Sequence, residues 1–425
     1  MLIEFSISNF RSFREKQTFS MVAAPRLKKG DNVFKPVVKG EKLPDLLKVA
    51  AIYGPNASGK SNLIKAFDIV REIAERQPSA NFIPFPVAPF RFDTELANQP
   101  TRIELHFVYA EQRYQFDLAL TQERIIEERL IAFPKGKETL LYERKHTALG
   151  DEYNFGVKLD GGKDLHELWK KVTGAQVLFI SQAVANSSEE LNQLRNPFQW
   201  LQSGFLNISG NIGRFASLSQ NSVKDTDNAN NITKFLQEID VPVVNIRDDK
   251  NIGLSQSQEQ KLLDEGRITK TIFTHKTALG EAEFDFDEES EGTKNLIGFW
   301  FPWNLHNQAK VLEIMSKNLQ IFNKCFSTIL IVDELDSSLH PEIVISIVRK
   351  HIASEIPSQL IFTTHDTHLM NAKILRRDQF WLTERDANGA TQLRSIHDFE
   401  GRESEDLEKR YYEGRYRGLP IIRRG

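Results

Sequence analysis

Leu2 to Phe10 alternates, with Ile3, Phe5 and Ile7 on one face, and this period of two predicts a strand. A polar, basic stretch follows, carrying Arg26, Lys28, Lys29, Lys35, Lys39 and Lys42. The short apolar run VAAIY at 49–53 is the kind expected of a strand buried on both faces. It ends in a Gly-rich octapeptide and opens onto helical spacing, with Leu63, Ala66, Phe67, Val70 and Ala74 on one face. Residues 101–160 hold period-two segments (IELHFVYA, RYQFDLAL, ERLIAF, TLLYER) that predict an antiparallel meander. Residues 183–270 have a helical or loop-like texture, and the Asn-rich stretch 221–231 reads as a surface loop. Buried strands return in the C-terminal third. STILIVDE (327–334) and QLIFTTHD (359–366) flank an amphipathic helix over 341–353, and QFWLTER (379–385) follows. Two parallel-sheet stretches separated by about 270 residues of different texture predict one split α/β core with a long insertion. No fixed-period repeat, heptad array or long coiled coil is visible.

Composition narrows the class without naming a function. The chain has 425 residues, with 55 Lys+Arg against 58 Asp+Glu and a formal charge of −3. Nucleic-acid binding would therefore need a local basic patch. Hydrophobic residues at 40% and charged ones at 27% exclude a mainly disordered chain. Phe is plentiful, 29 against 8 Tyr, which fits an aromatic core better than an aromatic binding platform. A single cysteine, Cys325, excludes an internal disulfide framework and any multi-cysteine zinc site. MLIEFSISNFRSF has no basic region leading into an apolar core, and no run of about 18 apolar residues occurs. A cytoplasmic protein without membrane partners is expected.

The candidate chemistry sits where the buried strands end. Gly54-Pro55-Asn56-Ala57-Ser58-Gly59-Lys60-Ser61 fits the pattern GxxxxGK[ST], in which backbone N–H groups wrap phosphates and the following helix aims its positive end at them. A chance match in a chain this long has a probability on the order of 1%. Lys60 is expected to reach the β/γ-phosphates and the Ser61 hydroxyl to ligate Mg²⁺ of bound ATP. The nucleotide-binding set is Gly54, Asn56, Ala57, Ser58, Gly59, Lys60, Ser61 and Asn62. The apolar strand Ile329–Val332 ends in Asp333 and Glu334, which places both carboxylates at the carboxyl edge of the sheet. Asp333 is expected to hold Mg²⁺, and Glu334 to polarise the attacking water as general base. Thr363-Thr364-His365-Asp366 closes the next strand, so that His365 is either a γ-phosphate donor or a structural strand-end histidine. His365 and His368 form HxxH without an acidic or cysteine partner at metal spacing, which disfavours zinc.

The order of phosphate loop, insertion, acid-ended strand, Leu335-Asp336-Ser337-Ser338-Leu339-His340-Pro341 and strand-end histidine resembles the ABC-type ATPases of the RecF/SMC class. Asn9-Phe10-Arg11-Ser12-Phe13 looks like that class's opening strand, and Glu289-Ser290-Glu291-Gly292-Thr293-Lys294 is similar to its abbreviated signature motif. The resemblance implies a P-loop NTPase of α/β class: an ATPase head with a split β-sheet core, an antiparallel β subdomain and a mainly helical insertion. It also implies that Ser290 and the helix starting near Gly292 contact the nucleotide of a second subunit. Catalysis by Lys60, Glu334 and His365 then requires a homodimer closing over composite sites, with Asp336 at the junction. The bland alternative for Ser290 is a polar cap on an ordinary helix. A Gln sensing Mg²⁺ is expected in the class, and Gln182 in VLFISQ is the candidate; Arg11 either touches nucleotide or carries a surface charge.

The ending, Tyr411-Tyr412-Glu413-Gly414-Arg415-Tyr416-Arg417-Gly418-Leu419-Pro420, resembles that of RloA-like and abortive-infection ATPases of bacterial phage-defence loci, relatives of the OLD family. This implies an ATPase working beside a separately encoded effector, a toxin or a TOPRIM-type nuclease. Sixty residues after His365 are too few for a built-in TOPRIM fold, and Glu400, Glu403, Glu405 and Asp406 read as a solvated face. The basic, aromatic stretch from Lys409 to Arg424 either docks a partner or nucleic acid, or packs on the core's edge. Three functions remain open: an antiphage ATPase controlling an effector, a RecF-like DNA-repair clamp, and an ATP-locked scaffold. Assembly beyond a dimer, and contact with DNA or RNA, also stay open. The expected organisation is an N-terminal lobe over 1–182, a helical or loop insertion over 183–280 and a C-terminal lobe over 281–425.

Overall fold

The computed structural model describes residues 1–187, 191–208, 212–249, 270–307, 329–371, 373–402 and 405–419. Cys325, Glu403 and the basic ending beyond Leu419 lie outside the described residues. The chain opens with β1 (Leu2–Ser8), β2 (Gln17–Ser20) and the short pair β3 (Val33–Phe34) and β4 (Leu46–Leu47). Strand β5 (Val49–Tyr53) then leads into helix α1 (Lys60–Glu75). The meander is β6 (Thr101–Tyr109), β7 (Gln112–Leu120), β8 (Ile125–Ala132), β9 (Thr139–Thr147) and β10 (Gly150–Phe155). Next come α2 (Gly162–Val172), α3 (Phe179–Ala185), α4 (Asn192–Ser203), β11 (Phe205–Asn207), α5 (Ile212–Ser222) and α6 (Thr226–Gln237). Strands β12 (Val243–Asp249), β13 (Lys270–Thr277) and β14 (Gly280–Asp285) precede α7 (Glu291–Asn307). The C-terminal part holds β15 (Ile329–Val332), α8 (Pro341–Ala353), β16 (Gln359–Thr363), α9 (His368–Asn371), β17 (Phe380–Arg385), β18 (Thr391–Ser395) and α10 (Leu407–Tyr412).

These strands build a split α/β head. A six-stranded sheet runs in the order β11-β15-β16-β5-β17-β18, parallel except for β18. A seven-stranded antiparallel sheet, β10-β9-β8-β7-β6-β1-β2, forms the second layer, and β12-β13-β14 a small third sheet. Because side chains alternate along a strand, each parallel strand feeds two cores. Ala50, Ile52, Ile331 and Ile361 face α1 and the antiparallel sheet, where Phe5 stacks on Phe67 at 4.1 Å and Phe107 on Trp200 at 3.9 Å. Val49, Ala51, Tyr53, Leu330 and Phe362 face the other way, toward α7 and α8. Burial on both faces is what the continuous apolar runs demand.

The segment 183–280, expected as a helical or loop insertion, is woven into the head. Its strand β11 is an edge strand of the parallel sheet, pairing Phe205 with Ile329 and Asn207 with Ile331. Its helix α5 lies against α7: Ser219 Oγ donates to the Ile297 carbonyl at 2.6 Å, and a Cβ on Gly298 would come within 2.7 Å of the Ile212 carbonyl. The Asn-rich stretch, expected as a loop, is largely helical from Thr226 onward. The Asp225 side chain caps that helix, accepting from Asp227 N and Asn228 N. No helix among the described residues is long and apolar enough to cross a membrane.

Candidate functional site

The sheet order sets the site. β5 and β15 are separated by one strand, β16, and all three are parallel. Their carboxyl ends therefore bring the loop from Gly54 to Ser61, the acids Asp333 and Glu334, and the turn carrying His365 to one edge.

The loop's backbone is shaped by two glycines with positive φ, Gly54 (152°) and Gly59 (112°), and by Ala57 at 61°. A Cβ on Gly54 would collide with the backbone oxygen of Thr383, and one on Gly59 with the Thr391 hydroxyl, so both positions need glycine for space as well as for conformation. Hydroxyls tie the loop to its neighbours: Ser58 Oγ lies 2.5 Å from Thr383 Oγ1, Thr391 Oγ1 donates to the Ser58 carbonyl at 2.8 Å, and Asn62 Nδ2 donates to Ser12 Oγ at 2.8 Å. The first turn of α1 has no side-chain cap and no acidic residue, so its N–H groups and positive end suit an anion. Lys60 is buried, and its ammonium donates to the carbonyls of Gly54 (2.8 Å) and Pro55 (3.2 Å). Burial lowers its pKa, against the pull of Asp333, Glu334 and Asp336. Asn56 and Ala57 are exposed at the loop's tip, and Ser61 is half-buried in the first turn. This cradle and donor set fit a nucleotide's phosphates, and a hydroxyl beside a carboxylate-bearing strand end fits Mg²⁺, a hard cation.

The acids are held by a residue the sequence did not single out. Thr363, at the end of β16, donates its hydroxyl to Asp333 Oδ1 at 2.6 Å and accepts from Glu334 N at 2.7 Å. Glu334 stands in the left-handed region, φ 55°, with its side chain exposed. Asp336 reaches across to accept from His365 N at 3.1 Å, which staples the segment after the acids to the strand-end turn. His365 itself is exposed. Asp333 and Glu334 also line a cavity of about 160 Å³ shared with Ile208 and with Asn295 and Phe299 of α7. Among the described residues, no group of three or more His, Cys, Asp or Glu side chains is arranged to hold a metal ion, and HxxH is no exception.

Ser290 sits at the start of α7 and does cap it, accepting from Thr293 N at 3.2 Å. Gly292 approaches Ser338 so closely that a Cβ would fall 2.8 Å from its carbonyl. Both line a groove of about 650 Å³ with Glu238, Asp240, His340 and Glu342, and no phosphate-loop residue contributes to it. The signature segment and the phosphate loop thus belong to separate surfaces of one chain.

One expected residue lies in a different setting, and a second is exposed beside the site. Gln182 does not follow a strand: VLFISQ enters helix α3, where Gln182 is buried and its Nε2 donates to Ser181 Oγ at 3.3 Å. The strand reading fails because the buried carboxylate of Glu128 accepts from Phe179 N (2.8 Å) and Ile180 N (3.2 Å), nucleating a helix. The strand that flanks β15 is β11, ending at Asn207, whose Nδ2 donates to Asp68 of α1 at 2.7 Å. Residues 209–211 beyond it lie outside the described residues. Arg11 is exposed, with its guanidinium 5.5 Å from the Phe10 ring; its neighbour Ser12 is the residue that meets the phosphate-loop helix. An exposed Arg11 is consistent with the surface-charge alternative, and the hydroxyl beside it supplies the contact to α1. The signal for Thr363 was its position two residues before His365.

The sequence model of the family described as AAA domain, putative AbiEii toxin, Type IV TA system, matches residues 49–371, from β5 through α9. No curated protein matches the chain. Solved structures similar to it include the SMC head domain from Thermotoga maritima, at 14% identity and a TM-score of 0.39, covering 93% of this chain and 98% of that one. A second is an SmcHead bound to the C-winged helix domain of ScpA, at 13% and 0.38, covering 97% and 99%. A third is an Smc head domain with an extended coiled coil bound to the C-terminal domain of ScpA derived from Pyrococcus furiosus, at 12% and 0.37, covering 97% and 98%.

Proposed function

Since the chain belongs to the family described as AAA domain, putative AbiEii toxin, Type IV TA system, we propose that it is an ATP-hydrolysing enzyme of an antiphage defence system. It acts in the cytoplasm as a dimer that controls a separately encoded effector, a toxin or nuclease. The observation that carries the ATPase reading is the carboxyl edge of β5, β16 and β15, with the phosphate loop, His365 and the Asp333–Glu334 pair side by side. The loop amides and Lys60 bind the phosphates, and the ammonium leaves the Gly54 and Pro55 carbonyls to do so. Glu334 takes the proton of the attacking water, while His365 donates to the γ-phosphate. Ser61 with Asp333 would hold Mg²⁺, which would neutralise charge on the phosphate oxygens. Ser290 and the start of α7 serve the nucleotide of the second copy; support comes from the separation of the signature groove from the phosphate loop. The balanced charge favours a protein partner over a DNA clamp.

Three variants test this. Glu334→Gln keeps ATP affinity, accumulates as the ATP-bound dimer by light scattering, and hydrolyses at least about 100-fold more slowly. Wild-type turnover in that variant removes the general base. Lys60→Ala loses ATP binding by calorimetry. Ser290→Arg binds ATP but stays monomeric; a fully active Ser290→Arg enzyme sinks the composite site.

A further inference from the structure

The C-terminal motif around Tyr411 meets the supports of the site at two points. Tyr411 of α10 is buried, and its ring meets that of Tyr53 edge-on at 6.4 Å. Tyr53 is the last residue of β5, directly before Gly54. The Tyr411 hydroxyl donates to the Gly418 carbonyl at 2.8 Å, which folds the chain end back over its own helix.

The second point lies just beyond His365. Thr367, buried two residues after that histidine, donates its hydroxyl to Glu408 Oε1 at 2.7 Å. With its one proton committed there, the same oxygen accepts from the Tyr412 hydroxyl at 3.0 Å. Glu408 and Tyr412 stand four residues apart on α10, so one face of the helix presents both groups. The helix is itself capped by Asp406, whose side chain accepts from Lys409 N at 2.9 Å.

The turn carrying His365 is thus anchored three times. Thr364 N donates to the Ile52 carbonyl of β5 at 3.1 Å, His365 N donates to Asp336 at 3.1 Å, and Thr367 is held by α10. The first two anchors engage backbone N–H groups of the turn, whereas the third is made by side chains alone. Tyr412 is 61% exposed and Glu408 is half-buried. Bonds so near solvent add little to global stability, so their loss is felt locally, in how well the turn keeps its place.

We propose that Glu408 and Tyr412 are positioning residues for His365, acting through Thr367, and that α10 is the clamp that holds the histidine's turn against the sheet. The clamp stands without the ATPase reading; its effect on turnover rests on that reading.

Hydrogen exchange of the full chain without nucleotide tests the clamp. Tyr412→Phe removes one exposed oxygen and keeps the ring, and Glu408→Ala removes the carboxylate. In both, peptides spanning 364–368 exchange roughly fivefold faster, while β5 and β16 exchange as in wild type. Glu408→Gln, which keeps an acceptor for Thr367, exchanges as wild type. Unchanged exchange in both variants, or faster exchange spread through the whole sheet, overturns the clamp. Turnover tests the positioning. In both variants kcat falls about fivefold at unchanged KM for ATP and unchanged unfolding midpoint, and Glu408→Gln recovers it. The residual turnover of His365→Ala is not lowered further by adding Glu408→Ala, because the group being positioned is gone. An additive loss in that background, or full turnover in a variant whose turn exchanges faster, overturns the positioning role. Faster exchange in the variants of a chain whose wild type neither binds nor hydrolyses ATP leaves the clamp standing and removes the ATPase reading instead.

Discussion

The antiparallel sheet and the carboxyl edge of the parallel sheet handle charge in opposite ways. On the outer face of the antiparallel sheet every cation named here meets an acid from another strand: Lys16 with Glu104 at 2.7 Å, Arg102 with Glu127 at 2.7 Å, Arg129 with Asp117 at 2.6 Å and Lys145 with Glu127 at 3.6 Å. Even its buried acid, Glu128, is satisfied, by Phe179 N, Ile180 N and the Tyr142 hydroxyl. The carboxyl edge gathers Asp333, Glu334 and Asp336 near one buried ammonium, Lys60. It also places Ala57, Glu334 and Ser338 at φ 61°, 55° and 59°. Acids crowded around one ammonium are the mark of a site shaped for a ligand; cross-strand pairing is the mark of a scaffold. Variants of the scaffold should therefore cost stability, and variants of the edge should cost turnover.

The largest effect is expected at Glu128. Its carboxylate is fully buried, and burial raises its pKa against the pull of Arg144 and its donors. Glu128→Ala strips three donors of their acceptor and leaves Arg144 buried beside a cavity. We expect a loss of about 3–5 kcal/mol in urea unfolding, with α3 loosened by hydrogen exchange. A variant within about 1 kcal/mol of wild type would mean that the polar interior of the scaffold is as dispensable as its surface.

The two ends of the parallel sheet sharpen the comparison. At the amino end, His351 of α8 is buried and donates Nε2–H to the Lys48 carbonyl at 3.0 Å. Burial lowers its pKa to about 4 from an ordinary 6.5. The unfolded chain therefore takes up a proton that the folded chain refuses between those values. Stability from this residue is complete above pH 6.5 and is lost as pH falls toward 4, by up to about 3 kcal/mol. His351→Gln should flatten that slope in unfolding midpoints between pH 7 and 4. An unchanged slope would show that the amino end is not the pH-sensitive one.

How much of this was legible depends on how local the cause is. The meander, β5 with its loop, and α8 were readable because their signals lie in adjacent residues: alternation in Ile103, Leu105 and Phe107, glycine spacing at Gly54 and Gly59, Pro341 at the first helical turn. β11 was not readable. Three residues, Phe205–Asn207, carry no periodicity, and their place beside β15 is set by a partner more than a hundred residues away. Gln182 misled for the same reason, since the helix around it is fixed by Glu128, from another element. At the site, the motif residues were legible and their supports were not. Ser12, Thr363 and Thr391 are ordinary hydroxyl residues whose roles arise only when β5, β16 and β18 come together.

Thr363 is where scaffold and edge meet, and it carries the smallest stability effect with the most telling split. Its side chain is fully buried, so Thr363→Val keeps shape and removes one oxygen. Asp333 then loses a 2.6 Å donor, and Glu334 N loses the acceptor that holds its left-handed turn. We expect about 1–2 kcal/mol of lost stability and, if Glu334 is the proposed general base, a roughly tenfold fall in ATP turnover at unchanged ATP affinity as that residue relaxes. Thr363→Ser, which keeps the oxygen and deletes the methyl, should recover most of the rate. Equal turnover in the Val and wild-type proteins would show that the strained turn at Glu334 is held by the sheet itself, and the division between a self-sufficient scaffold and a supported edge would fall with it.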